Sequence, residues 1–237
     1  MNYQIIRILT ATLFIIFTGC MSGQYFQTAE VAKNSGDTHV GAGITFTTTI
    51  ATKDDFFDRS FAGFPEVFLR TALVGEFWDF GINSSLLSGI GGDTKFQFYN
   101  GEKFDMAIDF GYKYTNYFVA INGEGESQDF YSALLFTFAE EVVVSRITLA
   151  PQVVYRRMGD INYKVKPFCL YSDCEERTVV FRAEDYFLGG ITLTLGNPHN
   201  DKKAQYEQLP GGAMPQVTYL TDFHKRTFVI LGIGFVF

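Results

Sequence analysis

The amino-acid sequence predicts an all-β protein, a transmembrane antiparallel up-and-down β-barrel of about ten strands. Three observations predict this class: the chain ends on an alternating apolar strand, the same alternation recurs along most of its length, and the composition is rich in aromatic residues and glycine. Aromatic residues make up 17% of the 237 residues, Gly occurs 23 times, and charged residues make up only 19%. Beyond the first 19 residues, no apolar run approaches the roughly 20 residues of a transmembrane helix.

The end of the chain carries the clearest single strand signal. A strand places alternate side chains on opposite faces. One face of the last strand is uniformly large and apolar, whereas the other contains two glycines. The large face is unfavourable in water and favourable against lipid, so we expect it to face the hydrocarbon core. Its residues are Val229, Leu231, Ile233, Phe235 and Phe237.

The same period-2 alternation occurs in other segments, most clearly between Phe104 and Tyr114, where aromatic and aliphatic residues alternate with Asp, Ala, Gly and Lys. Counting such runs predicts about ten strands of roughly the 9–11 residues needed to cross a bilayer at a tilt. Eight or twelve strands are open alternatives. The expected strands are 38–50, 65–75, 77–87, 89–100, 103–115, 129–139, 141–157, 178–196, 212–221 and 226–237.

An even number of strands places both chain termini on the same side of the membrane, which is the periplasmic side in bacterial barrels. Tight turns are expected on that side at Gly75-Glu76, at 100–102 and at 139–140. The segment 197–211 falls on the same side although it is long. The longer connections expected on the outside are 51–64, 116–128 and 158–177.

The N-terminal segment has the features of a secretory signal peptide. It carries one cation, Arg7, followed by an apolar run that ends at Phe17. The small residue and cysteine that follow, Gly19-Cys20, resemble the lipobox of bacterial lipoproteins, which implies cleavage before Cys20 and its acylation. The alternative is an ordinary secretory signal that is cut nearby. The expected organisation is 1–19 signal peptide, 20–37 lipid-anchored linker without a strand period, and 38–237 outer-membrane β-barrel.

Charged residues on the strand faces opposite the apolar rows are predicted to point into the lumen. Acids and bases of both signs can pair across the lumen and plug it, because much of the interior of a small barrel is filled by side chains. Alternatively, the same residues can line a narrow polar path, for which glycines on the same faces leave room. The predicted lumen-facing charged residues are Arg70, Asp79, Lys95, Asp105, Asp109, Lys113, Arg146 and Arg156.

Two further cysteines, Cys169 and Cys174, lie in the longest expected external connection. In an oxidising compartment, with Cys20 assigned to lipid, this even pair predicts a disulfide that clips the loop. A metal site that also uses Asp173 is the alternative, but the segment lacks histidines and the usual paired cysteine spacing. The sequence therefore predicts neither a metal site nor a cofactor.

The C-terminal phenylalanines also support a family resemblance. The terminal strand resembles that of bacterial outer-membrane β-barrels, in which the assembly machinery recognises the terminal aromatics, here Phe235 and Phe237. The mature chain resembles uncharacterised bacterial outer-membrane β-barrel proteins that begin as lipoproteins. This resemblance implies a bacterial outer-membrane location, with outer-membrane lipids and the barrel-assembly machinery as partners. The segments that carry it are QTAEVAKNSGDTHVGAGITF, LRTALVGEFWDFGI, FDMAIDFGYKY and MPQVTYL.

The sequence excludes some functions and leaves three classes. A net charge of −7 and the absence of a Lys/Arg-rich patch argue against nucleic-acid binding. A structural role or a narrow porin-like conduit for small solutes is the main expectation. The first alternative is a surface binding or adhesin module that acts through the loops 51–64 and 158–177, the former carrying aromatic and acidic residues. The second is an outer-membrane hydrolase based on Asp222 and His224, although no nucleophile motif is present, so the chain is not expected to be an enzyme.

Overall fold

The computed structural model describes eight segments of the chain, which together form one barrel and a small attached sheet. These segments are 28–51, 62–85, 89–116, 123–139, 146–165, 177–196, 213–223 and 227–236. Several predicted features lie outside them: the signal peptide, Cys20, most of the loop 51–64, Cys169, Cys174, the segment 197–211, His224 and Phe237.

Thirteen strands occur in the described segments. In chain order they are β1 (Thr38–Ala51), β2 (Ala62–Val74), β3 (Trp78–Ser85), β4 (Gly89–Asn100), β5 (Phe104–Asn116), β6 (Gly123–Glu124), β7 (Glu126–Ala139), β8 (Arg146–Met158), β9 (Ile161–Val165), β10 (Arg177–Phe181), β11 (Glu184–Leu195), β12 (Ala213–Thr221) and β13 (Thr227–Val236).

Ten of these strands close into an antiparallel barrel, which confirms the predicted fold class and strand number. Each barrel strand pairs with the barrel strands before and after it in the chain, and the first pairs with the last. Gly43 of β1, for example, lies opposite Gly234 of β13 on one side and Glu66 of β2 on the other. Closure leaves no unpaired edge in the barrel wall, as a sheet inside a bilayer requires.

The barrel strands alternate between buried and exposed side chains, with an unusual distribution of polarity. On β8, Arg146 and Gln152 are buried in the lumen, whereas Leu149 and Val153 point outward, and Val153 is 59% exposed. A barrel in water would bury its apolar face. The reversed arrangement, with polar groups inside and aliphatic and aromatic groups outside, is that of a membrane-spanning barrel.

Among the described residues, no helix is long and apolar enough to cross a membrane.

An aromatic row crosses four neighbouring strands near the end of the barrel at which the longer connections lie, here called the outer end. Tyr112, Phe130, Tyr155 and Phe187 contact one another in sequence, with centroid separations of 4.8, 6.3 and 4.9 Å. Phe187 is 71% exposed. A continuous row of this kind is typical of the aromatic girdle at a membrane–water interface, so we name it the outer girdle.

A second aromatic row lies near the opposite end, here called the inner end, where the turns at 75–77 and 101–103 connect neighbouring strands. Trp78 stacks on Phe96 at 5.6 Å, and Phe104 packs against Phe138 at 4.9 Å. The two rows bound an apolar band made of outward-facing aliphatic side chains. We name this second row the inner girdle.

The structure corrects the single long strand that the sequence predicted over 178–196. β10 ends at Phe181, and β11 begins only at Glu184. β10 does not join the barrel but pairs with β9, from Phe181 opposite Ile161 to Arg177 opposite Val165, and β9 also pairs with β6. The connections expected at 116–128 and 158–177 therefore contribute strands to a three-stranded sheet outside the barrel, here called the outer sheet.

The close packing of Tyr131 over Gly111 gives a first testable prediction. The two residues lie opposite each other on β7 and β5, and a Cβ atom at position 111 would come within 2.1 Å of the Tyr131 ring. Gly111→Ala is expected to destabilise the barrel by about 1–3 kcal/mol, because overpacking displaces a buried ring. The measurement is urea unfolding in lipid vesicles. Gly92→Ala is the control, because the atom nearest to its Cβ atom would be the Gly81 carbonyl oxygen, at 3.2 Å, and a smaller loss is expected there. An equal loss would contradict the packing argument.

Candidate functional site

The lumen contains all eight of the charged residues that the sequence predicted to face inward. Each is buried, and Asp109, Asp79 and Lys95 are among the least exposed, at 0–1%. Four buried acids were not in the predicted set: Glu30, Glu66, Asp93 and Asp129. Glu66 and Asp93 occupy the same alternate row as a predicted residue of their strand, so the period-2 pattern could have found them. Asp129 lies on β7, a strand on which no lumen-facing charge was predicted. Glu30 precedes the first strand, and no period marks it.

The central part of the lumen contains a network of ion pairs between neighbouring strands. Arg70 of β2 reaches two carboxylates, donating from Nη1 to Asp79 of β3 and from Nη2 to Asp93 of β4. Lys95 lies directly opposite Asp79 in the β3–β4 register, with its Nζ 3.0 Å from the Asp79 Oδ2 atom. Two cations and two carboxylates thus compensate one another in a site sealed from water, where an isolated charge would be strongly disfavoured.

One ion pair spans the lumen instead of following the wall. Lys113 of β5 donates from Nζ to Glu66 Oε1 of β2 at 2.7 Å, although β3 and β4 separate these two strands in the sheet. Closer to the wall, Arg156 of β8 makes a two-pronged contact with Asp129 on neighbouring β7. The contact between Lys113 and Glu66 therefore crosses the outer half of the lumen.

The inner half of the lumen is closed by the chain itself. Residues 28–32, here called the luminal strap, precede β1 and lie inside the barrel, each no more than 6% exposed. The sequence analysis treated 20–37 as a linker, and the part of it that the structure describes leads into β1 by way of this luminal segment. The chain passes the inner end at residue 32, where the Glu76 amide donates to the Ala32 carbonyl oxygen at 2.8 Å.

Side chains from the barrel wall satisfy the backbone of the strap. Lys95 Nζ donates to the carbonyl oxygens of Thr28 and Glu30 at 2.9 and 2.6 Å. The Ala29 amide donates to Thr137 Oγ1 at 2.7 Å, and the Val31 amide donates to Gln97 Oε1 at 2.8 Å. Because the wall strands use their own backbone groups to pair with each other, only side chains remain to meet the buried amides and carbonyls of the strap.

The side chains of the strap are matched to the wall as well. The Glu30 carboxylate accepts from Arg146 Nε at 2.8 Å, which pairs the one charge of the strap with a buried cation of β8. Ala29 packs in an apolar cluster with four wall residues, and Val31 and Ala32 pack with Ala72 of β2. The four wall residues around Ala29 are Ala107, Ala133, Leu135 and Ala150.

A cleft of about 650 Å³ lies at the outer end, where the outer sheet joins β7, β8 and β11. The Gly159 amide donates to the Glu126 carbonyl oxygen at 2.9 Å, which fixes one wall of the cleft. The lining carries more acids than bases and is open to solvent. It consists of Glu126, Gln128, Arg157, Met158, Gly159, Ala183, Glu184 and Asp185.

Tyrosines of the barrel hold two of the acids of this cleft. Tyr114 donates from its hydroxyl to Glu126 Oε2 at 2.9 Å, and Tyr155 donates to Asp185 Oδ2 at 2.8 Å. Both carboxylates keep further acceptor positions available for a partner. The sequence analysis included none of these residues among its candidates, because they lie at strand ends, where the alternation that identified the lumen gives no signal.

The remaining predicted site residues are only partly described. Phe235 points outward on β13 and is 37% exposed. Asp222 lies between β12 and β13, whereas the His224 expected beside it lies outside the described residues, as do Cys20, Cys169, Cys174 and Phe237. Within the described segments, no cluster of three or more His, Cys, Asp or Glu side chains is arranged to hold a metal ion.

No protein-family model matches the chain, and no curated protein matches it. Among solved structures, the chain is similar to neisserial surface protein A, with 9% identity, a TM-score of 0.35, and coverage of 84% of this chain and 95% of that one. It is also similar to Ail, the attachment invasion locus protein of Yersinia pestis, with 11% identity, a TM-score of 0.33, and coverage of 86% and 99%. Ail has also been solved in complex with the heparin analogue sucrose octasulfate, a match with 12% identity and a TM-score of 0.26. At these identities and TM-scores, no residue role is carried over to this chain.

The location of the protein follows from its own architecture. The barrel is closed, its exterior is an apolar band between two aromatic girdles, and its lumen holds buried charges. Antiparallel barrels of this construction, with an even number of strands, are proteins of the bacterial outer membrane. The protein is therefore placed in the bacterial outer membrane, with the outer sheet on the side of the longer loops.

Proposed function

We propose that this protein is an outer-membrane barrel with a closed lumen that binds a partner at the cell surface through its extracellular loops. The observation that carries the proposal is the outer sheet, since β6, β9 and β10 extend the connections into ordered structure beyond the barrel wall. Loops that carry their own secondary structure on a rigid barrel are well suited to present a binding surface. The loops concerned are those expected from the sequence, 158–177 above all, together with 51–64.

The closed lumen supports this proposal over a conduit. The luminal strap fills the inner half, and the contact between Lys113 and Glu66 spans the outer half. A narrow porin-like conduit remains the second candidate function, supported by the many charged groups of the lumen. It requires that both obstructions move aside. We propose no enzymatic activity, because the sequence lacks a nucleophile motif.

The cleft at the outer end favours a cationic partner. Glu126, Glu184 and Asp185 supply three carboxylates, against which only Arg157 supplies a positive charge. Complementary charge accelerates encounter and favours a partner of the opposite sign. We therefore propose that the surface bound carries basic groups.

Three further assignments complete the proposal. Cys20 is acylated and anchors the mature chain in the outer-membrane lipids. Cys169 and Cys174 form a disulfide in the segment 166–176 that joins β9 to β10, where it would restrain the tip of the hairpin. Phe235 and Phe237 form the signal that the barrel-assembly machinery recognises.

The decisive experiment removes the hairpin of the outer sheet and leaves the barrel intact. Ile161 and Phe181 lie opposite each other, so residues 162–180 can be replaced by Asn-Gly, which forms a two-residue hairpin turn. Fluorescent vesicles carrying the wild-type protein are expected to bind cultured epithelial cells and polylysine beads, and to bind heparin beads more weakly. The truncated variant is expected to lose binding to cells while retaining its heat-modifiable mobility in gels. Its binding to polylysine beads is expected to persist in part, because it keeps all the residues that line the acidic cleft.

Planar-bilayer recordings distinguish the two candidate functions. The proposal expects no discrete current steps from the wild-type protein and none from the truncated variant. Discrete, salt-dependent steps from the wild-type protein, together with undiminished cell binding by the truncated variant, would overturn the proposal in favour of the conduit.

A further inference from the structure

We propose that the inner half of the lumen is a binding site for a short peptide segment bearing a carboxylate, and that the luminal strap is its removable ligand, supplied by the same chain. This inference concerns the lumen and is independent of the surface binding proposed above. It rests on the way in which the wall contacts the strap.

The contacts between the wall and the strap are those of peptide recognition. Four of the six backbone groups of the strap from the Thr28 carbonyl to the Val31 amide each contact a wall side chain at 2.6–2.9 Å. Lys95 and Gln97 of β4 and Thr137 of β7 make these contacts. Contacts of this kind hold the backbone of a peptide and are indifferent to its side chains.

A charged pair supplies the selectivity that backbone contacts lack. Arg146 donates from Nε to Glu30 Oε1 at 2.8 Å, and both side chains are more than nine-tenths buried. A guanidinium in this position favours a carboxylate and leaves a buried charge uncompensated when a neutral side chain occupies the site. The small side chain of Ala29 packs in the apolar cluster beside it, which a larger side chain would overpack.

The strap is an addition to the barrel wall, not a part of it. All ten wall strands are paired around the closed barrel without any contribution from residues 28–32. The strap enters past the turn at Gly75, where a Cβ atom would come within 2.1 Å of the Lys33 carbonyl oxygen. The strap is therefore connected to the wall strands at the inner end, by way of the chain that passes this turn. It can leave the lumen there without breaking any hydrogen bond between wall strands.

Removing the strap does not by itself clear the lumen, because Lys113 and Glu66 still meet in the outer half. Conductance is thus a poor reporter of strap release, and direct binding is the appropriate one. The proposal predicts that the emptied site binds the strap sequence when it is supplied as a separate peptide.

The test uses a mature barrel that begins at Lys33, refolded in detergent micelles, and a synthetic peptide of residues 28–32 with a dye attached to its C-terminal end through a flexible linker. The dye is placed at this end because residues 33–35, which follow the strap, are exposed in the intact protein. Fluorescence anisotropy is expected to show saturable binding to the shortened barrel and none to the full chain, whose site is already filled. A peptide carrying Glu30→Gln is expected to bind at least about tenfold more weakly, because a charge-assisted hydrogen bond is lost.

A second measurement in the full mature chain serves if the shortened barrel fails to refold. In a background in which Cys20, Cys169 and Cys174 are serine, Val31→Cys is expected to resist a membrane-impermeant maleimide, whereas Lys33→Cys reacts readily. Adding Glu30→Gln is expected to raise the reaction rate of Val31→Cys about tenfold, as the strap leaves the site more often.

Two results would overturn the inference. One is a folded, shortened barrel that does not bind the peptide or that binds a scrambled peptide equally well. The other is a Val31→Cys thiol that reacts as fast as that of Lys33→Cys in the full chain. Neither result bears on vesicle binding to cells, so the two proposals fail separately.

Discussion

Replacing Asp79 by alanine is expected to destabilise the barrel by about 3–5 kcal/mol, because removing one partner of a buried ion pair leaves the others uncompensated. Asp79 is 1% exposed and contacts both Arg70 and Lys95. Lys95 in turn holds the luminal strap, so the loss is expected to reach the inner half of the lumen as well. The measurement is the free energy of unfolding from urea titration in lipid vesicles, combined with gel mobility before and after heating.

Two further variants control for the effect of Asp79→Ala. Asp185→Ala removes an exposed carboxylate with one tyrosine contact and is expected to change stability by less than about 1 kcal/mol. Asp79→Asn keeps the shape and part of the hydrogen bonding, so its effect should fall between the two. If Asp79→Ala cost no more than Asp185→Ala, the lumen would have to be hydrated instead of sealed.

The second large effect is expected on the outside of the barrel. Leu134 lies near the middle of β7 on the outward face and is 42% exposed. Leu134→Arg is expected to destabilise the folded barrel by about 2–4 kcal/mol, because it places a cation near the bilayer midplane. Unfolding titration in vesicles of a phosphatidylcholine with short chains measures this change.

A matched substitution on the same strand makes the Leu134 prediction specific to depth. Gln128 shares the outward row of β7 but lies near the outer end, at the level of the cleft. Gln128→Arg is expected to cost about 0–1 kcal/mol, since an arginine near the interface reaches water. Equal penalties at both positions would contradict the placement of the apolar band against lipid.

The part of the molecule that sequence could predict is the part that repeats. In a wall strand, each lumen-facing residue lies two positions from the next, so one recognisable residue such as Asp109 assigns its whole row. Glu66 and Asp93 followed the same rule and were within reach of it, through Arg70 and Lys95. Each of the ten wall strands has one such lumen-facing row, and together these strands form the closed barrel.

The luminal strap could not be predicted in this way, because nothing local marks it. Thr28 to Ala32 form no strand, and their partners lie far along the chain: Gln97 is 66 residues from Val31, Thr137 is 108 residues from Ala29, and Arg146 is 116 residues from Glu30. Only the closed barrel brings these groups together.

The outer sheet was missed for a different reason. β6 has two residues, and β9 and β10 have five each, which is too few to establish a period. β10 continues almost directly into β11, so the alternation of the two strands merges in the sequence. Arg182 and Ala183 separate β10, which pairs with β9, from β11, which belongs to the barrel. Nothing in the residues of β10 indicates in the sequence that they pair with β9.

The two aromatic girdles set the thickness of membrane that this barrel fits. On β5, Phe104 of the inner girdle and Tyr112 of the outer girdle are eight residues apart, about 26 Å along the strand. With the strands tilted by about 40°, the separation along the membrane normal is about 20 Å. This short span matches a thin bilayer, such as the bacterial outer membrane, and a thicker one would have to thin around the protein. Hydrophobic mismatch thus disfavours insertion of the barrel into a thicker membrane. The spacing of the two aromatic girdles therefore helps to determine in which membrane the protein resides.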